Sequence, residues 1–323
     1  MASTTRRGPR ARSRRRNLIL GGAAGAGVAA IGWATFKSMP AFFWRQLRED
    51  LTRAVPPPGL RPDPSRWPNQ GLHAAWLGHS TVLVKIDGVT ILTDPVLQDC
   101  VGVDLRVATV GMKRLVGPAL LAAELPPVDL ILSSHAHMDH LDLATMRSLE
   151  SPHTEVVMAL STADLIRSTR YRAVAEVGWG EAYRAACGAV VRGLEVKHWG
   201  ARMRTDTHRG YGGYLIEHGR WRVLFAGDTA DTDAFRRQRR GDTHLALMPV
   251  GAYDPWIYAH CNPEQAWRMA NEFAAEYVLP IHHSTFQLSR EPRTEPVERL
   301  LAAAGSQASR VVAYEIGAEF HLR

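Results

Sequence analysis

The chain has 323 residues, 46% of them hydrophobic, enough to bury a full-sized core as one large domain or two small ones. Its formal charge of +7 sits in a tail. Residues 1–16 hold seven arginines and no acid, leaving 32 basic against 32 acidic residues in the rest, so the body has no net field for polyanions such as nucleic acid. Three cysteines, Cys100, Cys187 and Cys261, stand far apart without a C-x-x-C pair, which argues against a disulfide framework and a thiolate metal site.

In chain order, residues 1–50 read as a basic signal or membrane-anchor segment. The arginine run precedes Leu18 to Phe36, an apolar stretch rich in Ala and Gly that is long enough to cross a bilayer and meets no charge until Lys37. Arg14-Arg15-Arg16 ahead of this stretch resembles a twin-arginine export signal, without a clean A-x-A cleavage site. The expectation is export, with the body periplasmic or anchored on the outer face of the inner membrane. Residues 51–70 hold six prolines and read as a stiff linker or wrap-around arm, and residues 71–323 as the catalytic domain.

Within that domain, LHAAWLG, STVLVKIDG and VTILTDPV predict three strands, with Asp87-Gly88 as a tight hairpin turn. VDLILSS predicts a buried strand, followed by helical spacing in HLDLATMRSLE and again in TADLIRSTR. EVVMAL, AVVRGLEVKHW, GGYLIEHG, WRVLFAGD, HLALMPVG, EYVLPIH and RVVAYEI read as strands. PEQAWRMANEFAAE reads as a helix capped by Asn262, with Pro263 in its first turn. Such clusters suggest two sheets packed face to face with helices outside.

Ser134-His135-Ala136-His137-Met138-Asp139-His140 places three imidazoles and one carboxylate at the end of a buried strand. In an irregular loop, His135 and His137 can face one point while Asp139 and His140 reach a second nearby, which suits two metal ions. Imidazole with carboxylate favours zinc, ahead of iron or manganese. His198, Asp228 and His282 each follow a strand-like run. Together with the cluster they make seven donors, enough for two sites with one bridging carboxylate and an open position for water. A metal-activated hydroxide then serves as nucleophile, and no G-x-S-x-G elbow is present. Asp139 is the residue expected to orient that hydroxide. His260 and Tyr253 are candidates for contacting substrate, and His79 reads as support for the cluster. Arg236, Arg237, Arg239 and Arg240 read as a solvated face or an anion-binding strip.

Taken together, GHSTVLVKIDGVTILTDPV, SSHAHMDHLD, VKHWGAR, FAGDT and IHHSTF resemble the metallo-β-lactamase superfamily. MPVGAYDPWIYAHCNPEQAW and IHHSTFQLSREP narrow the resemblance to N-acyl-phosphatidylethanolamine-hydrolysing phospholipases D and their bacterial relatives. The match runs over about residues 70–323, while the residues after His198 depart from the animal enzymes. It implies a four-layer αββα sandwich and one zinc on His135, His137 and His198. A second zinc would sit on Asp139, His140 and His282, with Asp228 bridging. It also implies a phospholipid substrate, for which Asp139 and His260 are the expected catalytic residues and the 18–36 stretch the expected tether to a membrane surface. The same metals permit a lactone, ester or amide hydrolase. The neutral body speaks against a nuclease, and the full donor set against a non-catalytic scaffold. Replacing Arg15 and Arg16 by lysine is expected to stop export of a C-terminal reporter that is active only outside the cytoplasm; a reporter still exported, or native protein recovered soluble in the cytoplasm, refutes the export reading.

Overall fold

The computed structural model describes residues 53–104, 109–166, 170–203 and 205–323. The arginine run and the 18–36 stretch lie outside them. Among the described residues no helix is long and apolar enough to cross a membrane.

Two sheets carry the architecture. The first has the order β15-β1-β2-β3-β6-β7-β8, from β1 (Leu72–Gly78), β2 (Thr81–Ile86), β3 (Val89–Thr93), β6 (Leu130–Ser133), β7 (Glu155–Met158), β8 (Ala173–Glu176) and β15 (Glu319–Leu322). The second has the order β14-β13-β12-β11-β10-β9, from β9 (Ala182–Arg184), β10 (Val190–Leu194), β11 (Gly213–His218), β12 (Trp221–Phe225), β13 (Thr243–Pro249) and β14 (Ala275–Ile281). A separate hairpin joins β4 (Cys100–Asp104) to β5 (Thr109–Lys113).

Side-chain alternation decides what each sheet faces. On β13, Leu245 and Leu247 join the core that includes Ile91, Leu132 and Val157 of the first sheet. Ala246 and Met248 point the other way, into a core shared with helices. Those helices are α2 (Ala234–Gln238), α3 (Pro263–Glu272) and α4 (Glu295–Ala304). A shorter helix, α1 (Leu143–Ser148), follows the His-rich loop and buries Met146 against the first sheet's core. The expected sandwich of two sheets with helices outside is therefore present.

Local chemistry explains several elements. Asp87 and Gly88 both take positive φ, 45° and 91°, as a two-residue turn between antiparallel strands requires. The Asp87 carboxylate accepts from Gly71 N at 2.8 Å. At α3, Asn262 Oδ1 accepts from Gln265 N at 2.9 Å while Gln265 Oε1 accepts from Asn262 N at 3.0 Å, a reciprocal cap. The proline-rich segment lies on the body. Pro56 O accepts from Gly117 N, Arg61 pairs with Glu124, and Trp67 Nε1 donates to Glu319.

Two expected elements fall differently. RVVAYEI is not a strand: residues Gly305–Arg310 form a 3-10 helix, and Val311 makes a single bridge to Val278 before the chain crosses to the other sheet. The last strand is β15, which pairs Leu322 with Leu72 and was not foreseen. Among its described residues, TADLIRSTR yields a 3-10 turn, Ala163–Leu165, with the Thr162 and Ala163 amides donating to the Glu176 carboxylate; residues 167–169 are not described. Helix α4 also escaped the sequence pattern.

Replacing Asn262 by alanine removes the α3 cap. It is expected to cost about 1 kcal/mol and lower the thermal midpoint by roughly 2 °C. Calorimetry checks this, and an unchanged midpoint would show that tertiary packing alone fixes the helix start.

Candidate metal centre

Strand direction gathers the site. β3 and β6 run parallel, and β1 runs with them because it is antiparallel to β2, itself antiparallel to β3. In the other sheet β12, β13 and β14 are parallel, and β10 shares their direction through the antiparallel β11. His79, Asp94, the 135–140 loop, His198, Asp228, His260 and His282 all follow the C-terminal ends of these strands, where open sheets leave a crevice.

Two glycines let the loops close in. Gly227 takes φ 59°, and a Cβ there would meet Ser134 Cβ and Gly212 O, both at 2.8 Å. A Cβ on Gly251 would meet His282 O at 2.2 Å. Neither contact is tolerable, so glycine seats Asp228 against the His-rich strand and the 251–260 loop against His282.

The donors form two adjoining groups. His135 Nε2 lies 2.8 Å from His137 Nδ1, which lies 3.3 Å from His198 Nε2. Asp139, His140 and His282 make the second group, with His79 Nε2 3.0 Å from Asp139 Oδ2. Asp228 Oδ2 stands between the groups: 3.0 Å from His282 Nε2, 3.1 Å from His140 Nε2, 3.7 Å from His198 Nε2 and 4.0 Å from His135 Nε2. Four of the six other sequence-predicted ligands, His135, His140, His198 and His282, thus lie within 4.0 Å of one Asp228 oxygen.

Hydrogen bonds away from the centre set the imidazoles' orientation. His198 Nδ1 lies 2.9 Å from the Ala259 carbonyl, which can only accept, so its Nε2 is left with a lone pair facing inward. His140 Nδ1 lies 2.6 Å from Asp94 Oδ2, and Asp94 also accepts from Ser134 N at 2.7 Å and Ser134 Oγ at 2.5 Å. His135 Nδ1 is 2.8 Å from the same serine oxygen. Arg202 pins the His-rich loop by donating to Ala136 O and Leu141 O.

The electrostatics ask for cations. Burial drives His135 and His198 well below the usual imidazole range and His137 to about 4, so three neutral imidazoles meet with lone pairs available. Burial opposes charge at His140 and His282 too. Asp228 and Asp139 outweigh it, lifting His140 well above its ordinary value and His282 to about 9. Burial likewise works against the Asp228 and Asp139 carboxylates, but His140 and its neighbours hold both well below the carboxylate range. Two carboxylates therefore draw two positive charges into a buried pocket, a demand that divalent cations meet while displacing the protons. Among the described buried atoms, His140 Nε2 and His282 Nε2 meet Asp228 as ion pairs without well-directed hydrogen bonds, and Asp228 Oδ1 has no hydrogen-bond partner. Buried ligand atoms left so poorly satisfied in one cluster fit a metal centre.

Of the two residues expected at the substrate, only His260 joins the cluster. Its Nδ1 is 3.7 Å from Asp228 Oδ2, its ring stacks on His282 at 5.1 Å, and burial lowers it to about 4. Tyr253 turns away. Its hydroxyl donates to Glu295 at 2.8 Å, and Arg299 lies over its ring. Asp94 was missed although LTDPV was in view. A carboxylate just past a buried strand, one short step from the His-rich loop, was the available signal. His79, read as support, stands within donor range of Asp139, His140 and His282.

Comparison with known proteins agrees with this geometry. A family model described as a beta-lactamase superfamily domain matches residues 89–283. An uncharacterized protein of Mycobacterium tuberculosis is 34% identical over 261 residues, 78% of this chain and 69% of that protein. A Caenorhabditis elegans N-acyl-phosphatidylethanolamine-hydrolyzing phospholipase D is 31% identical over 248 residues, 71% of this chain and 69% of the relative. Among solved structures, a metallo hydrolase of Ignicoccus hospitalis superposes with TM-score 0.58 at 21% identity, covering 79% of this chain and 99% of that one.

Asp94→Asn keeps the side-chain shape but removes the charge that orients His140. It is expected to weaken metal binding by about 10–100-fold, measured by competition with a chelator. Asp228→Ala should lose more than any single histidine variant, since both groups share that carboxylate. Equal losses would refute the sharing.

Proposed function

The chain belongs to the metallo-β-lactamase superfamily and is a metal-dependent hydrolase, and on that premise we propose a zinc phosphodiesterase of phospholipase D type. Its substrates in this reading are N-acyl-phosphatidylethanolamine-like lipids. The observation that carries it is the position of Asp228 between two donor groups. A pair of sites sharing one carboxylate suits an in-line displacement at phosphorus, where attacking and leaving oxygens both need stabilisation. The similarity to the nematode phospholipase D supports the choice of a phospholipid.

One ion would be held by His135, His137 and His198, the other by Asp139, His140 and His282, with Asp228 shared. Bound there, two zinc ions would lower the pKa of a water from about 15.7 toward 7 and polarise the phosphoryl oxygen. The chain's own residues do the rest. Asp139, steadied by His79 and still partly exposed, orients the attacking water by hydrogen bond. His260 is held neutral by burial, so it offers the lipid head group a hydrogen bond without adding a cation. The body works outside the cytoplasm, at the membrane that holds its substrate.

In oxygen-18 water, attack at phosphorus puts the label into phosphatidic acid and releases an unlabelled N-acylethanolamine. Label in a carboxylate product, or turnover of lactones alone, would replace this reading by a lactone, ester or amide hydrolase. His260→Ala is expected to raise KM about tenfold or more, as loss of a buried hydrogen bond does, with about two zinc ions per chain retained. His135→Ala should lose both metal and activity. Metal content near zero after reconstitution of the wild type would defeat the proposal.

A further inference from the structure

Loops that carry the metal-centre residues also carry large apolar side chains that nothing covers. Trp199 follows His198 and is 42% exposed; Met203 is 52% exposed. Trp256, Ile257 and Tyr258 are 37%, 44% and 62% exposed, three in a row just before Ala259, whose carbonyl meets His198 Nδ1 at 2.9 Å, and His260. The Trp199 ring lies 4.3 Å from that of His198, 4.6 Å from His137 and 6.2 Å from His260, so the patch reaches the metal centre itself. Scattered exposed apolar residues need no explanation, but two exposed groups on loops joined by the His198–Ala259 hydrogen bond at a candidate metal centre do.

The tip is built rigidly. The buried Glu291 carboxylate accepts from Ala252 N at 2.6 Å and Asp254 N at 3.2 Å, and Asp254 O accepts from Arg290 N at 2.9 Å. Trp256 Nε1 donates to Leu288 O. A loop anchored at its base and greasy at its tip has little ordering left to lose on contact.

We infer that Trp199, Met203 and the Trp256-Ile257-Tyr258 tip dock the metal centre onto the interfacial layer of a phospholipid bilayer. The inference rests on the phospholipid reading above and adds how the lipid is reached. Residue type favours a bilayer over a folded partner. Trp and Tyr join an apolar body to a polar edge and settle at the head-group level. Charge agrees. Lys197, two residues before Trp199, and Arg290, whose amide bonds the Asp254 carbonyl, are both exposed and place positive charge beside the patch, where lipid phosphates would meet it. The tip itself carries one acid, Asp254. By contrast, Arg236, Arg237 and Arg239 of the arginine run pair with Asp233, Glu195 and Asp242, so most of that run's charge is met where it stands. The uncharged stretch from Leu18 to Phe36 in the same chain is long enough to keep the body beside a bilayer.

Two measurements on the full-length, zinc-loaded protein test this. The first compares Ile257→Ser/Tyr258→Ser with wild type on N-acyl-phosphatidylethanolamine in phosphatidylcholine vesicles and on bis(4-nitrophenyl) phosphate in solution. Turnover on vesicles should fall about tenfold or more, as loss of two buried apolar anchors implies, with zinc content and soluble turnover within about twofold. Equal loss on both substrates would place the tip in catalysis and overturn the docking. The second, independent of activity, is quenching of tryptophan fluorescence by brominated phosphatidylcholine vesicles. Trp256→Phe should remove part of the quenching seen in wild type; identical quenching overturns the inference. If that part is removed while wild type turns over no phosphodiester, the docking stands and the proposed reaction falls. A drop in oligomer mass by light scattering in the double variant, without loss of quenching, would assign the patch to a second copy and overturn it too.

Discussion

Burying Asp228 among imidazoles is the constraint on which the rest of this structure depends. An unpaired carboxylate in a low-dielectric interior costs several kcal/mol, and here Asp94 and Asp139 crowd the same small volume. The chain meets that cost by bringing His135, His140, His198, His260 and His282 within reach of one oxygen or its neighbours. The consequence is a pocket whose charges balance only with protons on His140 and His282 or with cations in their place.

That demand shapes the backbone around it. The donors come from both sheets, so the loops must meet closely at one end of the sandwich. Gly227 and Gly251 stand where any side chain would collide with the opposing loop. Ser134, Asp94 and the Ala259 carbonyl fix which nitrogen of His135, His140 and His198 faces inward. The loop from Gly251 to His260 joins two features: its end brings His260 to the centre, and residues 256–258 just before it are exposed and apolar.

The His-rich loop was legible because its residues are consecutive, and because His and Asp packed so densely after a buried strand have few other uses. His198, Asp228 and His282 were legible as strand-end residues, each preceded by an apolar run whose period was plain. The cap at Asn262 and the Asp87-Gly88 turn were local chemistry. Tyr253 shows where such reading stops. Its place two residues after Gly251 says nothing about rotation, and packing against α4 gave its hydroxyl to Glu295.

The strands from Val311 to Leu322 show the same limit for the fold. Two adjacent valines look like a strand, yet the chain has only one bridge to Val278 there before it leaves for the far edge of the other sheet. The amino-acid sequence by itself determined the seven expected ligands, most of the strands, the Asp87-Gly88 turn and the capped helix at Asn262, because each is a property of residues near one another along the chain. Only the tertiary structure decided that Asp94 aligns His140, that His79 reaches Asp139, and that the Ala259 carbonyl holds His198. Those juxtapositions join residues 46 to 60 positions apart or more, and their register is set by sheet pairing and side-chain packing rather than by any local pattern.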